Sequence, residues 1–225
     1  MNKKIRKYLV AILLLSGVLC NADVTLEVTP VPNYSSQVYY YVSGNLTNAK
    51  SQMAYGDGGE GFFYYEWFIS PSEYSLNPTE CCTTKNENGK VWKVPQFSYK
   101  ISSIHQIIYI PEWINRITCN TANQEWNRYW QDIFKHEYRH YTDYKSYLDN
   151  SSNYESVVTG LKLEIACSTK SGEDASSDIN KMISDAGEQL NSKIAGGIEA
   201  LSNAFHGENG APNEFPMINL TNECH

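Results

Sequence analysis

The spacing of hydrophobic positions changes once along the chain. From about residue 23 to 118 the apolar residues come in short aromatic and β-branched runs: Gln37-Val-Tyr-Tyr-Tyr-Val-Ser43, Phe62-Phe-Tyr-Tyr-Glu-Trp-Phe-Ile69 and His105-Gln-Ile-Ile-Tyr-Ile110. Such side chains suit a pleated surface, so the three runs are predicted strands. Between them stand Gly56-Asp-Gly-Gly-Glu-Gly61, Pro71, Pro78 and Asn86-Glu-Asn-Gly89, which predict turns. No Lys-Ser/Thr follows the glycine cluster, so it reads as a turn and not as a phosphate loop. Pro111-Glu-Trp113 is expected to close the last strand.

From about residue 122 apolar residues recur at steps of three and four, and helices are predicted at about 122–149, 153–169 and 175–205. Asn120-Thr-Ala-Asn123 offers a cap for the first. The third carries Ile179, Met182, Ile183, Ala186, Leu190, Ile194, Ile198, Leu201 and Phe205 on one stripe, with Gly196-Gly197 expected to kink or break it. Strands first and helices second predict an α+β fold, with N-terminal antiparallel strands packed on C-terminal helices around one core. The expected organisation is a single domain over 23–225, strand-rich to about 118, helical over about 122–205, with a tail over 207–225.

The first predicted helix contains Phe134-Lys-His-Glu-Tyr-Arg-His140, hence H-E-x-x-H. Residues on a helix turn by about 100°, so with His136 at zero, His140 lies at about 40° and Glu137 at about 100°. Trp126, Trp130, Ile133, Tyr144, Tyr147 and Leu148 share that sector, while Arg128, Gln131, Lys135, Arg139, Thr142, Ser146 and Asp149 take the opposite side. Both histidines and the glutamate are therefore predicted to face the core. Two imidazoles one turn apart suit one tetrahedral zinc ion (Zn2+). Glu137, beside the metal without binding it, is placed to act as general base on a zinc-activated water.

Two histidines leave a ligand missing, and the chain has several candidates. Asp143 shares the helix face one turn further on, where an outer role orienting a histidine fits better than a third bond. Glu164 follows His140 by 24 residues on the next predicted helix, and His206 follows the last apolar residue of the third and precedes Gly207, which suits a helix end folding back over a site. His105 lies inside a predicted strand and His225 is terminal. Tyr144, on the ligand face, is a candidate helper, and His105–Ile110 is expected to run beside the cleft and pair with an extended substrate.

The N-terminal segment and the cysteine usage predict an exported chain. Lys3, Lys4, Arg6 and Lys7 precede an apolar stretch from Tyr8 to Leu19 and the small residues near Cys20-Asn21-Ala22, so residues 1–22 read as a signal peptide. The apolar stretch is short for a membrane span, and no stable membrane insertion is expected after its removal. The remainder has 14 basic against 25 acidic residues, net −11, which disfavours nucleic acid as a partner. Cys81, Cys82, Cys119, Cys167 and Cys224 remain, allowing at most two disulfide bonds and one thiol, and no C-x-x-C spacing suggests a cysteine metal site. The expected location is secreted or periplasmic.

Several motifs in order resemble a bacterial family of predicted secreted zinc-dependent proteases, a domain of unknown function with H-E-x-x-H. They are Tyr41-Val-Ser-Gly-Asn45, the Trp-bearing strand at 62–69, a cysteine at 81 or 82, Ile110-Pro-Glu-Trp113, Trp126 and Trp130, His136-Glu-Tyr-Arg-His140, Cys167, His206-Gly207, Gly210-Ala211 and Phe215-Pro216. The resemblance spans about residues 38–217. It implies a zincin-like metallopeptidase fold and makes His206 the first choice of third ligand over Glu164, because a histidine followed by glycine closes the family's pattern. The family's Tyr-Asp pair and Thr before that histidine are replaced here, around Ala200, Leu201 and Ala204. The leading expectation is a zinc metalloprotease acting on peptide or protein substrates. The alternative is a secreted binding protein with a metal-stabilised but inactive site, and an amidase acting on cell-wall peptide uses the same chemistry.

Overall fold

The structure is a computed structural model that describes residues 23–33, 36–54, 61–74, 91–94, 96–116, 119–207 and 216–223. The expected signal peptide, the turns at 78 and 86–89, Cys81, Cys82, Cys224 and His225 lie outside these residues. In chain order the elements are β1 (Asp23–Val28), β2 (Ser36–Gly44), α1 (Leu46–Ala54), β3 (Phe62–Pro71), β4 (Val91–Lys93), β5 (Gln96–Arg116), α2 (Asn120–Asp149), β6 (Glu164–Ala166) and α3 (Gly172–His206). The fold is mixed, a sheet with three helices, as an α+β arrangement requires. Two compact units share the chain, one formed by Met1–Val24, Glu73–Phe97 and Gly160–Ile183, the other by Thr25–Ser72, Ser98–Thr159 and Ser184–His225.

The larger unit is organised on β5, a strand of 21 residues. β1, β2 and β3 all pair with it. β3 runs antiparallel, from Phe62↔Tyr109 to Pro71↔Tyr99, with a bulge at Glu66/Trp67. β2 runs parallel, from Ser36↔Ile107 to Gly44↔Arg116, so the sheet is not purely antiparallel as expected. A parallel pair needs a crossover between its strands, and α1 supplies part of one. Strands alone were expected over this half of the chain, and α1 corrects that. The Asn45 side chain accepts the Asn48 N–H at 2.9 Å, and Leu46, Ala49 and Met53 are buried at helical spacing.

The strand expected to end at Pro111 continues to Arg116. Pairing with β3 begins at Phe62↔Tyr109, so beyond Tyr109 that edge of β5 has no described partner strand and tolerates a residue with no N–H. The same pairings correct a second expectation. Residues 107–109 of β5 are bonded to β2 on one side and β3 on the other, so the expected substrate-pairing run offers no free edge at these residues.

α2 begins two residues before the expected start, with Cys119 as its extended N-cap and no side-chain cap bond. Asn123 does not cap, because its side chain meets Arg116 at 3.4 Å. The projected faces hold: Trp126, Ile133, Tyr144 and Leu148 are buried, with Tyr129 and Tyr141 added, and Trp130 and Tyr147 are half-buried. Trp126 packs on Trp113 of β5 at 5.2 Å, and Phe63 of β3 meets Tyr141 and Tyr144 edge-on at 5.9 and 5.8 Å. α3 joins through Trp67 Nε1, which donates to Asn191 Oδ1 at 3.0 Å. The glycine pair does not break α3, which is one helix of 35 residues. Gly197 instead makes room: a Cβ there would lie 2.0 Å from the Tyr147 hydroxyl of α2.

No helix covers 153–169. Two single 3-10 turns, Ser151–Asn153 and Glu155–Val157, are followed by β6. Tyr154, Val158, Leu163 and Cys167 are buried at nearly helical spacing, but Val157-Val-Thr159 is β-branched and Gly160 sits at φ +79°, a left-handed turn. In the smaller unit β6 pairs antiparallel with β4, Trp92 facing Ile165 and Lys93 facing Glu164. Trp92, Cys167 and Ala175 form its core with Ile165 against them. Cys119 and Cys167 are each disulfide-bonded.

Candidate metal centre

α2 lies within the larger unit and carries the H-E-x-x-H residues. Its apolar stripe turns His136 and Glu137 inward, where they are 8% and 5% exposed. One turn on, His140 is half-buried. His206 is the last residue of α3, and Gly207 follows at φ +70°, a left-handed conformation that ends a helix and is strained for other residues. The apolar stripe of α3, through Leu190, Ile194 and Ile198, thus sets where its final histidine lies.

The three imidazoles meet at their Nε2 atoms. The separations are 3.3 Å for His136–His140, 3.1 Å for His140–His206 and 3.2 Å for His136–His206. Metal–nitrogen bonds of about 2.0–2.1 Å in a tetrahedron separate the ligand atoms by about 3.3–3.4 Å. The triangle fits that requirement, and the three residues form a cluster able to hold a metal ion. Burial lowers the pKa of His140 to about 4, with further lowering by His136, His206 and Arg139. Its ring is therefore neutral near pH 7 and keeps a lone pair for a metal.

Phe205 braces the triangle from one side. Its ring centroid lies 4.8 Å from His136 and 5.0 Å from His140, and the Arg139 guanidinium stacks over it at 5.4 Å. Asp143 accepts from Arg139 Nε at 3.0 and 2.9 Å, so it supports that guanidinium and does not orient a histidine as expected. Burial raises the Glu137 carboxyl to about 7, opposed by a hydrogen bond from the Phe63 N–H. Gly61, just before β3, leaves the space this needs: a Cβ there would come within 3.3 Å of Glu137 Oε1 and 2.5 Å of Ile133 Cγ2.

Of the other sequence candidates, Tyr144 lines the same cavity as the histidines, whereas Glu164 and His105 are not among its lining residues. Glu164 is not on a helix; it sits on β6 opposite Lys93. The Tyr144 hydroxyl is 2.8 Å from Ser103 Oγ and donates to Glu66 O at 3.4 Å, and burial pushes it up to about 12. His105 is a surface residue, 3.7 Å from Glu66 on the neighbouring strand. Sequence reasoning missed Gly61, Phe63 and Phe205. Gly61 belonged to the glycine cluster read only as a turn, and Phe205 was assigned to the core as the last apolar position of its helix.

Around the triangle is a cavity of about 570 Å³ whose walls include Phe63 and Tyr65 of β3, Ile133 of α2, and Ile198 and Leu201 of α3. Among the described residues no helix is long and apolar enough to cross a membrane. No protein family, curated protein or solved structure matches this chain, so the reading of its site rests on the site's own geometry.

Proposed function

We propose that this protein is a secreted or periplasmic zinc-dependent metalloprotease of zincin-like design, hydrolysing peptide bonds in polypeptide substrates. The observation that carries the reading is the triangle of Nε2 atoms, with edges of 3.1–3.3 Å, beside a buried glutamate. His136, His140 and His206 would hold the ion, and three nitrogens leave a fourth position open, as catalytic zinc sites do. Zinc there would supply Lewis-acid polarisation of a carbonyl and a more acidic water.

Glu137 is the proton carrier. Next to His136 in the chain and buried beside the metal position, its carboxylate can accept a proton from the bound water and return it to a departing amine. The Phe63 N–H holds the carboxylate, and the aromatic walls keep bulk water from competing with it. β3 borders the cavity through Phe62, Phe63 and Tyr65. One of its edges is bonded to β5, and no described strand pairs with the other, which suits it to align an extended substrate in place of β5.

The test is Glu137→Gln. This variant is expected to bind one zinc per chain and to leave an unfolded-peptide library intact that the wild type cleaves in a chelator-sensitive way. Undiminished cleavage by the variant would sink the mechanism. The second reading, a binding protein with an inactive metal site, draws on the exposed aromatics of the sheet, Tyr39, Tyr41, Phe62, Tyr64 and Phe68, all at least 37% exposed. Exposed aromatic groups of this kind mark contact surfaces. Stoichiometric zinc with no cleavage by the wild type would favour it.

A further inference from the structure

The cavity beside the triangle has one wall that belongs to no helix or strand of the fold. Pro216 and Met217 close it, and they begin a strap, residues 216–223, whose only regular structure is a 3-10 turn at Leu220–Asn222. The strap's backbone is fastened to α2. Arg128 Nη2 donates to Met217 O at 2.6 Å, and the Asn219 N–H donates to Glu125 Oε1 at 2.5 Å. Asn222 Nδ2 donates to Glu125 Oε2 at 3.4 Å, and Ile218 between these anchors is 4% exposed. Glu125 is itself buried and ion-paired with Arg128 at 2.5 Å. At its far end Glu223 accepts from the Thr47 N–H and hydroxyl of α1 at 3.2 and 2.6 Å.

Met217 differs from its neighbours. Its carbonyl is held, yet its side chain is 64% exposed at the rim of the cavity. An unbranched thioether on a fixed backbone can adapt to what enters and cover it. Ile133, Ile198 and Leu201 line the same cavity, with Asp143, Ser202 and the tyrosines Tyr65 and Tyr144 as the polar groups beyond the histidines and Glu137, and the Tyr144 hydroxyl is taken up by Ser103 Oγ at 2.8 Å. Asp143 is engaged by Arg139. A hydroxyl or carboxylate pressed against those hydrocarbon walls loses water without a replacement partner, whereas an aliphatic or aromatic group gains by burial.

We propose that the strap is a specificity element, and that Met217 with Ile133, Ile198 and Leu201 makes this cavity accept a bulky apolar side chain of the polypeptide substrate. The inference rests on the peptide-hydrolysing reading of the site and adds which residue of the peptide is recognised. Glu125 and Arg128 act as positioning residues, since they reach the cavity only through the strap they hold.

The experiment uses the full chain carrying Glu137→Gln, loaded with zinc, so that bound peptides stay intact. Capped peptides differing at one residue (Leu, Phe, Ser or Glu) are titrated and their Kd values compared. Leu and Phe peptides are expected to bind roughly 30-fold tighter than the Ser peptide, the effect of one buried apolar side chain. Adding Met217→Glu should shrink that ratio about fivefold or more, and Met217→Leu should preserve it. Met217 is exposed, so neither change threatens folding. Equal affinity for all four peptides, no binding of any, or a preference untouched by Met217→Glu overturns the proposal. Selective binding accompanied by no hydrolysis in the wild type would overturn the protease reading and leave the specificity pocket standing.

Discussion

Replacing His206 by alanine removes one corner of the nitrogen triangle and leaves two nitrogens, 3.3 Å apart, on adjacent turns of α2. His206 ends its helix, and its ring is half-buried and not part of the apolar stripe, so the fold should survive the change. The expected loss of affinity follows from the ligand count. Zinc sites with four protein ligands are worth about 10–16 kcal/mol, or about 3 kcal/mol per ligand, which is on the order of a hundredfold in Kd. Glu164 stands opposite Lys93 on a short strand pair, so Glu164→Ala should bind zinc as the wild type does. The assay is competition with a chromophoric chelator at pH 7.5, with circular dichroism confirming that each variant is folded. Wild-type affinity in His206→Ala, or a loss of tenfold or more in Glu164→Ala (roughly 1.4 kcal/mol), would refute the three-histidine site.

Two further outcomes test how the site is supported. Gly61→Ala would press a methyl group to 2.5 Å from Ile133 Cγ2 and 3.2 Å from the Tyr109 carbonyl; overpacking of this kind costs about 1–3 kcal/mol, measurable by urea unfolding, and unchanged stability would show that the approach is looser than described. Tyr99, Tyr144 and Tyr154 are buried, and burial pushes each phenol up to about 12. A raised pKa adds stability that is complete below the unfolded value of about 10 and is lost as pH rises through about 12, so stability should fall by roughly 2–4 kcal/mol per pH unit in that window. Urea melts at pH 9, 10 and 11 with phenolate absorbance would check it, and three phenols titrating near 10 in the folded chain would contradict it.

The chemistry of the α2 segment was legible from residue order alone because a helix has one period. Once Trp126, Ile133, Tyr144 and Leu148 define a stripe, the direction of His136, Glu137 and His140 follows from about 100° per residue, and the buried positions agree. The strands at 36–44 and 62–71 were legible for the same local reason, as was the reach of α3 to a histidine followed by glycine. Where two periods compete, local reasoning failed. Tyr154, Val158, Leu163 and Cys167 mimic a helix, yet the backbone bonds of that segment go to two 3-10 turns and to β4. α1 was missed because nine residues make a short pattern amid aromatic strands.

Tertiary structure alone decided what meets what. His206 stands 70 residues from His136, and only the packing of α3 brings their nitrogens to 3.2 Å. The Phe63 N–H reaches Glu137 because β3, pinned by ten residue pairs to β5, crosses the motif helix at its first residues. Whether β5 or β3 offers an edge depends on which strands flank it, a property of the sheet and not of either strand's composition. The wall at Met217 depends on Glu125 and Arg128, which sequence reading assigned no functional role, because its hydrogen bonds span about 90 residues. Helix period is a local property of the chain, so the two histidines and the glutamate could be read from it. The third ligand, the substrate edge and the pocket wall arise from contacts between distant segments, which no local pattern encodes.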